Sequence, residues 1–129
     1  SLASNIALSD TLQGRPLQKE KVHDLLHMMN LWKDRDKNPN ELSFGMQRRI
    51  LLARTLYMDR PIILLDEPFS ALDPQTRHVL YQEAKTWLQG KTVFFITHHD
   101  EEAKILGDFI YELKGRPGKI IKNLKNDFI

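Results

Sequence analysis

Two short apolar runs separated by one amphipathic helix constrain the fold of this chain more than any other feature. The runs are PIILL at 61–65 and VFFI at 93–96, and neither alternates polar with apolar residues as a one-sided sheet requires. Between them, 74–89 is typical of a helix, because Asp73 can cap it, Pro74 suits its first position and a glycine follows its end. This order predicts an α/β domain with a mostly parallel sheet that helices cover on both faces.

The remaining segments predict helices before these strands and a hairpin after them. Helical spacing and glycine stops predict further helices over 17–32, 44–57 and 99–106. The segments 109–113 and 119–124 flank the turn GRPG and predict a pair of antiparallel strands. No strand is predicted in the first 60 residues.

The stretch IILLDEPFSALD at 62–73 is the most informative for function. An apolar strand delivers two adjacent carboxylates, Asp66 and Glu67, at its carboxyl end, where open α/β sheets bind ligands. Because side chains alternate along a strand, one carboxylate can hold a hydrated Mg²⁺ while the other faces an attacking water. The plain alternative is a strand that ends in a polar turn at Pro68.

The stretch LSFGMQRR at 42–49 has two interpretations. Ser43 before a long amphipathic run is typical of a helix N-terminus with a serine cap. The same terminus is a ready anion site, since its first N–H groups are unpaired and its dipole is positive. The residues alone leave both open. Arg48 and Arg49 are expected to be charges on the surface of this helix rather than catalytic groups.

Composition excludes several classes of function. The net charge of +2, from 19 basic and 17 acidic residues, is too balanced for a nucleic-acid-binding protein. The chain has no cysteine, which excludes a disulfide framework and fits a reducing compartment. No apolar run approaches the roughly 20 residues of a membrane helix, and the first residues lack a signal-peptide pattern. We therefore expect a cytoplasmic protein that reaches a membrane only through partners.

Three motifs in this order give the chain a resemblance to the ATPase domains of ABC transporters. IILLDEPFSALD resembles the family's Walker B and D-loop region, and LSFGMQRR resembles its signature motif. ITHHDEEA at 96–103 resembles its switch-histidine segment. Within this family, the chain resembles the ATPase domains of importers of nitrate, sulfonate, taurine and pyrimidine precursors. The features that carry this resemblance are Met46, DEPFSALD and the GRPGKI segment.

The resemblance implies catalytic roles for three residues. Asp66 would hold Mg²⁺ through water, Glu67 would orient or deprotonate the attacking water, and His98 would contact the γ-phosphate of ATP. His99 stands where the family usually has aspartate, so either histidine could act. His98 is favoured because it directly follows Thr97 at the strand end.

The resemblance also assigns residues to the ATP held by an opposite subunit. The signature would bind its γ-phosphate through four adjacent residues, Ser43, Phe44, Gly45 and Met46. Ser70 and Asp73 of the D-loop would lie at the dimer interface. The family has glycine where this chain has Phe44, and glycine lets the backbone approach phosphate closely. The phenyl ring would therefore either crowd the site or point away.

The 129 residues contain no GxxxxGK[ST], the Walker A loop that supplies most of the family's phosphate grip. The chain thus resembles part of a P-loop NTPase, with a helical subdomain over 1–60 and the second half of the RecA-like core over 61–129. In the family, the Walker A strand lies between the strands matched here by 91–97 and 108–113. We expect a rearranged sheet, pairing with another chain, or a fragment of a longer product.

The resulting prediction is the ATP-hydrolysing subunit of an ABC transporter of importer type, with ATP and Mg²⁺ as cofactors. The 129 residues are expected to bind ATP weakly or not at all and to be inactive alone. Expected partners are a second ATPase subunit in a homodimer, integral membrane transporter subunits and, indirectly, a solute-binding protein. Two alternatives stay open, namely a non-catalytic interaction module and a soluble ABC-type protein of translation or DNA repair.

Overall fold

The computed structural model describes residues 1–70 and 72–125. Its helices are α1 Leu2–Ile6, α2 Leu8–Leu12, α3 Lys19–Met28, α4 Phe44–Tyr57, α5 Pro74–Leu88 and α6 Asp100–Leu106. Its strands are β1 Ile62–Asp66, β2 Thr92–Ile96, β3 Phe109–Lys114 and β4 Lys119–Lys125. Short 3₁₀ turns at Trp32–Asp34 and Pro39–Glu41 connect α3 to α4.

The helices that flank β1 begin at the caps that the sequence predicts. The Ser43 hydroxyl accepts the backbone N–H of Met46 at 3.3 Å, which starts α4 at Phe44. One Asp73 carboxylate oxygen accepts the N–H of Thr76 at 3.0 Å, and Pro74 occupies the first turn of α5. Both predicted helices are confirmed.

The helix predicted over 17–32 is shorter than expected. Asn30 adopts a left-handed φ of 53°, and the Leu31 N–H donates to the carbonyl of Leu26 at 2.8 Å. This is a Schellman ending, in which asparagine tolerates the backbone conformation that stops the helix. The apolar stripe continues past this point because Leu31 and Trp32 fold back onto the same core.

Arg49 is less exposed than a typical charge on a helix surface. Its guanidinium is half-buried, and Nη1 donates to the carbonyl of Met29 at 2.7 Å. That carbonyl lies at the end of α3, where helix carbonyls lack intrahelical partners. Arg49 therefore joins α4 to the end of α3.

The first twelve residues form α1 and α2, which the sequence analysis did not predict. Each helix has five residues, which is too short to display a helical period. Leu2 and Ile6 are fully buried against the other helices. Asp10 of α2 is a buried polar residue. It accepts a short hydrogen bond from the Tyr57 hydroxyl and forms an ion pair with Arg15 at 2.5 Å.

The strands form two separate pairs. β1 and β2 are parallel, with Ile62 opposite Thr92 and Asp66 opposite Ile96. β3 and β4 are antiparallel, with a register irregularity between Glu112 and Leu113. The α/β fold with a parallel pair is confirmed, and so is the hairpin. Within the described chain, β3 pairs with β4 and not with β2.

The described residues cover only one face of the parallel pair. Ile63 and Leu65 of β1 are buried beneath the helices, together with Phe69 in the turn that follows. The other face is apolar and 61–73% exposed, and we call it the open face, formed by Ile62, Leu64, Phe94 and Ile96. The expectation that helices cover both faces therefore fails here, because no element among residues 1–70 and 72–125 packs on that side.

The part of the chain that the structure describes has no helix long and apolar enough to cross a membrane.

Candidate active site

The carboxyl ends of β1 and β2 place the predicted catalytic residues side by side. Asp66 ends β1 opposite Ile96, and the N–H of Glu67 donates to the Ile96 carbonyl at 2.9 Å. Glu67 itself has a φ of 47°, in the left-handed region that residues with a side chain rarely adopt. Such strain persists only where surrounding contacts hold it, and it is concentrated at functional sites.

Glu67 and His98 meet directly. The Nδ1 atom of His98 lies 2.6 Å from one carboxylate oxygen of Glu67. An ionised carboxylate only accepts hydrogen bonds, so His98 Nδ1 is the donor and Nε2 remains available on an exposed ring. The other oxygen of Glu67 is buried and has no hydrogen-bond partner among the described residues. A buried carboxylate oxygen without a partner is able to receive a proton or a ligand.

The two D-loop residues have local roles in this structure. The hydroxyl of Ser70 donates to the Glu67 carbonyl at 3.0 Å and closes the turn in which Glu67 lies. Asp73 caps α5, and hydrogen bonds from the Thr76 side chain and backbone hold the pKa of its carboxyl below the usual range. Both residues are exposed and remain open to a partner chain.

A buried polar network that the sequence does not predict lies behind His99. Glu102 of α6 is fully buried and accepts a short hydrogen bond from the Thr97 hydroxyl, which in turn accepts the His99 N–H at 3.0 Å. Burial raises the pKa of Glu102 above its usual range. Nothing in the sequence distinguishes Glu102 from Asp100 and Glu101, the two exposed acidic residues before it.

Arg77 of α5 is the second missed residue. Its Nη2 donates to the Leu72 carbonyl at 2.9 Å, and its Nη1 lies 3.2 Å from Nε2 of His99. Arg77 therefore links the D-loop turn to the histidine segment, with its positive charge beside His99 rather than His98.

The signature residues lie at the start of α4. The side chain of Phe44 is 65% exposed, and the guanidinium of Arg48 lies 5.2 Å from its ring centroid. The ring is thus directed to solvent and forms a cation–π contact. Gly45 and Met46 are half-buried. Within the described chain, no hydrogen bond or ion pair joins residues 43–46 to Glu67 or His98.

The side chains at the strand ends fit a magnesium-dependent phosphoryl site in part. Asp66 offers an exposed carboxylate, the oxygen ligand that hydrated Mg²⁺ prefers. Glu67 and His98 offer an acceptor and a donor next to it. A glycine-rich loop for the phosphates is absent from the 129 residues, so this arrangement has few groups with which to hold a nucleotide.

Comparisons with known proteins identify the family of the chain. The sequence model described as "ABC transporter" matches residues 2–70. The chain is 41% identical to the "Uncharacterized ABC transporter ATP-binding protein MJ0412" of Methanocaldococcus jannaschii, over 98% of this chain and 49% of that protein. It is 40% identical to the "Taurine import ATP-binding protein TauB" of Roseobacter denitrificans, over 99% of this chain and 49% of that protein.

Solved structures give the same result. The chain superposes on the dimeric structure of MJ0796, described as a bacterial ABC transporter cassette, with a TM-score of 0.81 and 31% identity. The match covers 97% of this chain and 56% of that one. A second match, to a dimeric post-hydrolysis state of MJ0796 bound to ADP and Pi, has a TM-score of 0.72 and 34% identity, over 83% of this chain and 46% of that one. The chain spans about half the length of the curated relatives that it matches.

Proposed function

Because this chain belongs to the ABC transporter ATP-binding family, we propose that it supplies the water-activating part of an ATP-hydrolysing site in a transporter. The observation that carries the proposal is the 2.6 Å contact between Glu67 and His98 at the carboxyl edge of two parallel strands. General bases and ligands in such sheets lie at this edge. Relatives named for the import of taurine, of sulfate or thiosulfate, and of spermidine or putrescine support an import role.

The residues of the chain divide the chemistry between them. ATP, when bound, would supply the phosphoryl group whose transfer to water drives transport. Glu67 would orient the attacking water or take its proton through the buried oxygen that has no partner here. His98 would fix Glu67 through Nδ1 and face the phosphate with Nε2. Asp66 would hold Mg²⁺ through water.

The remaining groups would act across a dimer. Ser43, Phe44, Gly45 and Met46 would contact the nucleotide of a second subunit, and Ser70 and Asp73 would contact that subunit. The dimeric structures among the matches support this arrangement. We also propose the division into a helical subdomain over 1–60 and a catalytic part over 61–129. Integral membrane subunits, with a solute-binding protein, would be the further partners at the inner face of the membrane.

A complementation assay tests the proposal. The chain is co-expressed with the part of MJ0412 that it does not match, and phosphate release from Mg-ATP is measured for each piece and for the mixture. We expect activity that needs both pieces, since residues 1–129 lack the phosphate loop. Glu67→Gln should reduce that activity by about 100-fold or more, in line with the contribution of a general base.

Two further variants control the assay. His98→Ala should also reduce activity, because it removes the contact between His98 and Glu67. Glu83→Gln removes an exposed carboxylate in the middle of α5 and should leave activity unchanged. If the mixture that contains Glu67→Gln released phosphate as fast as the wild-type mixture, the proposed role of Glu67 would be contradicted.

A non-catalytic interaction module is the second candidate, and the open face favours it. That face exposes four large apolar side chains, which is typical of a surface that binds another protein element. A mixture that forms a stable complex on size exclusion but releases no phosphate would support the interaction module over the enzyme subunit.

A further inference from the structure

A third metal-ligating side chain stands beside the Glu67–His98 pair. His99 follows His98 directly, and its half-buried ring lies 4.0 Å from the His98 ring between centroids. We propose that Glu67, His98 and His99 form a binding site for a divalent transition-metal ion, with Zn²⁺ as the best fit.

The geometry needs little change to bind zinc. One ligand atom from each of the three residues can be chosen so that all lie within 4.8 Å of one another. Zinc binds imidazole nitrogen and carboxylate oxygen at roughly 2.0–2.2 Å, which places tetrahedral ligand atoms roughly 3.3–3.6 Å apart. The hydrogen bond from His98 Nδ1 to Glu67 would open from 2.6 Å to this spacing, and the exposed His98 ring is able to turn.

The donor set selects the class of metal. Two imidazoles and one carboxylate are typical of zinc sites that keep the fourth position for water, and His98 is exposed enough to admit that water. Mg²⁺ prefers oxygen ligands and is expected at Asp66 instead. The second oxygen of Glu67 is buried and has no hydrogen-bond partner within 1–70 and 72–125, so it adds a further oxygen ligand for the ion.

One charge opposes metal binding. Nη1 of Arg77 lies 3.4 and 3.2 Å from the two ring nitrogens of His99. The His99 ring must therefore turn away from Arg77 before it can bind a cation.

A metal at this site would engage the two side chains that the proposed reaction needs. Zinc on Glu67 and His98 would remove an acceptor for the water proton and a contact for phosphate, so it would inhibit hydrolysis. The site itself does not rest on the proposed function, because metal binding is measured without any nucleotide.

Zinc titration of the purified chain by calorimetry tests the proposal. We expect one Zn²⁺ per chain at the wild-type site. Glu67→Gln and His99→Asn should each weaken binding by about 10–100-fold or more, because even the loss of a hydrogen-bonding partner of a ligand costs that much. Asparagine is chosen at 99 because His99 occupies the N-cap position of α6, where asparagine is favoured.

The helix α3 offers a matched control. His23 and His27 lie one turn apart, with ring centroids at 4.4 Å, and are the other pair of close histidines in the described chain. The double variant His23→Ala, His27→Ala should change zinc affinity less than about threefold if the α3 pair takes no part. Loss of binding in that variant, or binding unaffected by Glu67→Gln and His99→Asn, would overturn the proposal.

Protection from chemical modification tests the site in the wild-type chain, without relying on the folding of any variant. Diethylpyrocarbonate labels accessible histidines, and mass spectrometry locates the label. Zinc at one equivalent should protect His98 and His99 and leave His23, His27 and His78 reactive. Equal labelling of His98 and His99 with and without zinc would overturn the proposal.

Discussion

The two faces of β1 carry the same residue types in opposite environments. Ile63 and Leu65 are 3% and 7% exposed, whereas Ile62 and Leu64 are 61% and 73% exposed. The first pair lies beneath helices, and the second pair belongs to the open face. An apolar run therefore predicts which strands need cover on both faces, but not which element of a chain covers each face. Helices that are close in sequence supply one cover here.

Truncation of the two adjacent leucines of β1, one on each face, should give the largest difference in the free energy of unfolding. Leu65→Ala should lower the free energy of unfolding by about 2–5 kcal/mol, because it removes buried methyl groups and leaves a cavity. Leu64→Ala on the open face should change it by less than about 0.5 kcal/mol. Urea denaturation of both variants measures the contrast, and equal losses would mean that the open face is covered in solution.

The next largest effect should come from the polar contacts of the covered region. Tyr57→Phe removes the hydroxyl that donates to buried Asp10, and it should cost about 1–3 kcal/mol in thermal or urea unfolding. A variant that melts with the wild type would show that packing alone stabilises this region.

The same contact predicts a response to acid. The Tyr57 hydrogen bond, then that of Arg15, holds the pKa of Asp10 below its ordinary value of 3.8. The folded state therefore binds this proton less readily, so the stabilisation is complete above about pH 5 and is lost as pH falls through the folded-state pKa. Tyr57→Phe should reduce the loss of stability in a urea series from pH 5 to pH 2. An unchanged slope would show that the Tyr57 hydrogen bond is not the source of this acid sensitivity.

A smaller effect is expected at the exposed start of α4. Ser43→Ala removes the hydroxyl that accepts the Met46 N–H and should destabilise the fold by about 1 kcal/mol. Ser43→Gly should cost only a few tenths of that amount, since glycine is tolerated at caps. If both variants cost the same, the hydroxyl is not what starts the helix.

The smallest effect on stability is expected for Phe94→Ser on the open face. Phe94 is 63% exposed, so its replacement should change the unfolding free energy by less than about 0.5 kcal/mol. Self-association should fall, because exposed apolar patches promote it. Light scattering across a concentration series measures this, and scattering equal to wild type would show that another surface drives association.

Local signals in the sequence were enough for much of the fold. Asp73 and Pro74 predict the start of α5, and Ser43 predicts the start of α4, because caps act on neighbours only three residues away. The end of α3 was missed, since Asn30 ends it by a left-handed backbone conformation that many asparagines do not adopt.

The site was predictable only as far as strand order allowed. Parallel strands bring their carboxyl ends together, so the proximity of Glu67 and His98 follows from the predicted order of strands. The contributions of Glu102 and Arg77 do not follow from strand order. Glu102 contacts Thr97, 5 positions away, and Arg77 contacts His99, 22 positions away, and no sequence pattern encodes either contact. The contact between Tyr57 and Asp10, 47 positions apart, is of the same kind.

The left-handed backbone at Glu67 has a consequence for how the chain would evolve under a purely physical selection. A glycine at this position adopts φ near 47° without the roughly 1–2 kcal/mol that an L side chain incurs there. A library screened for thermostability alone should therefore accumulate glycine or asparagine at position 67. Glu67 therefore carries a backbone cost that a selection for stability alone would remove.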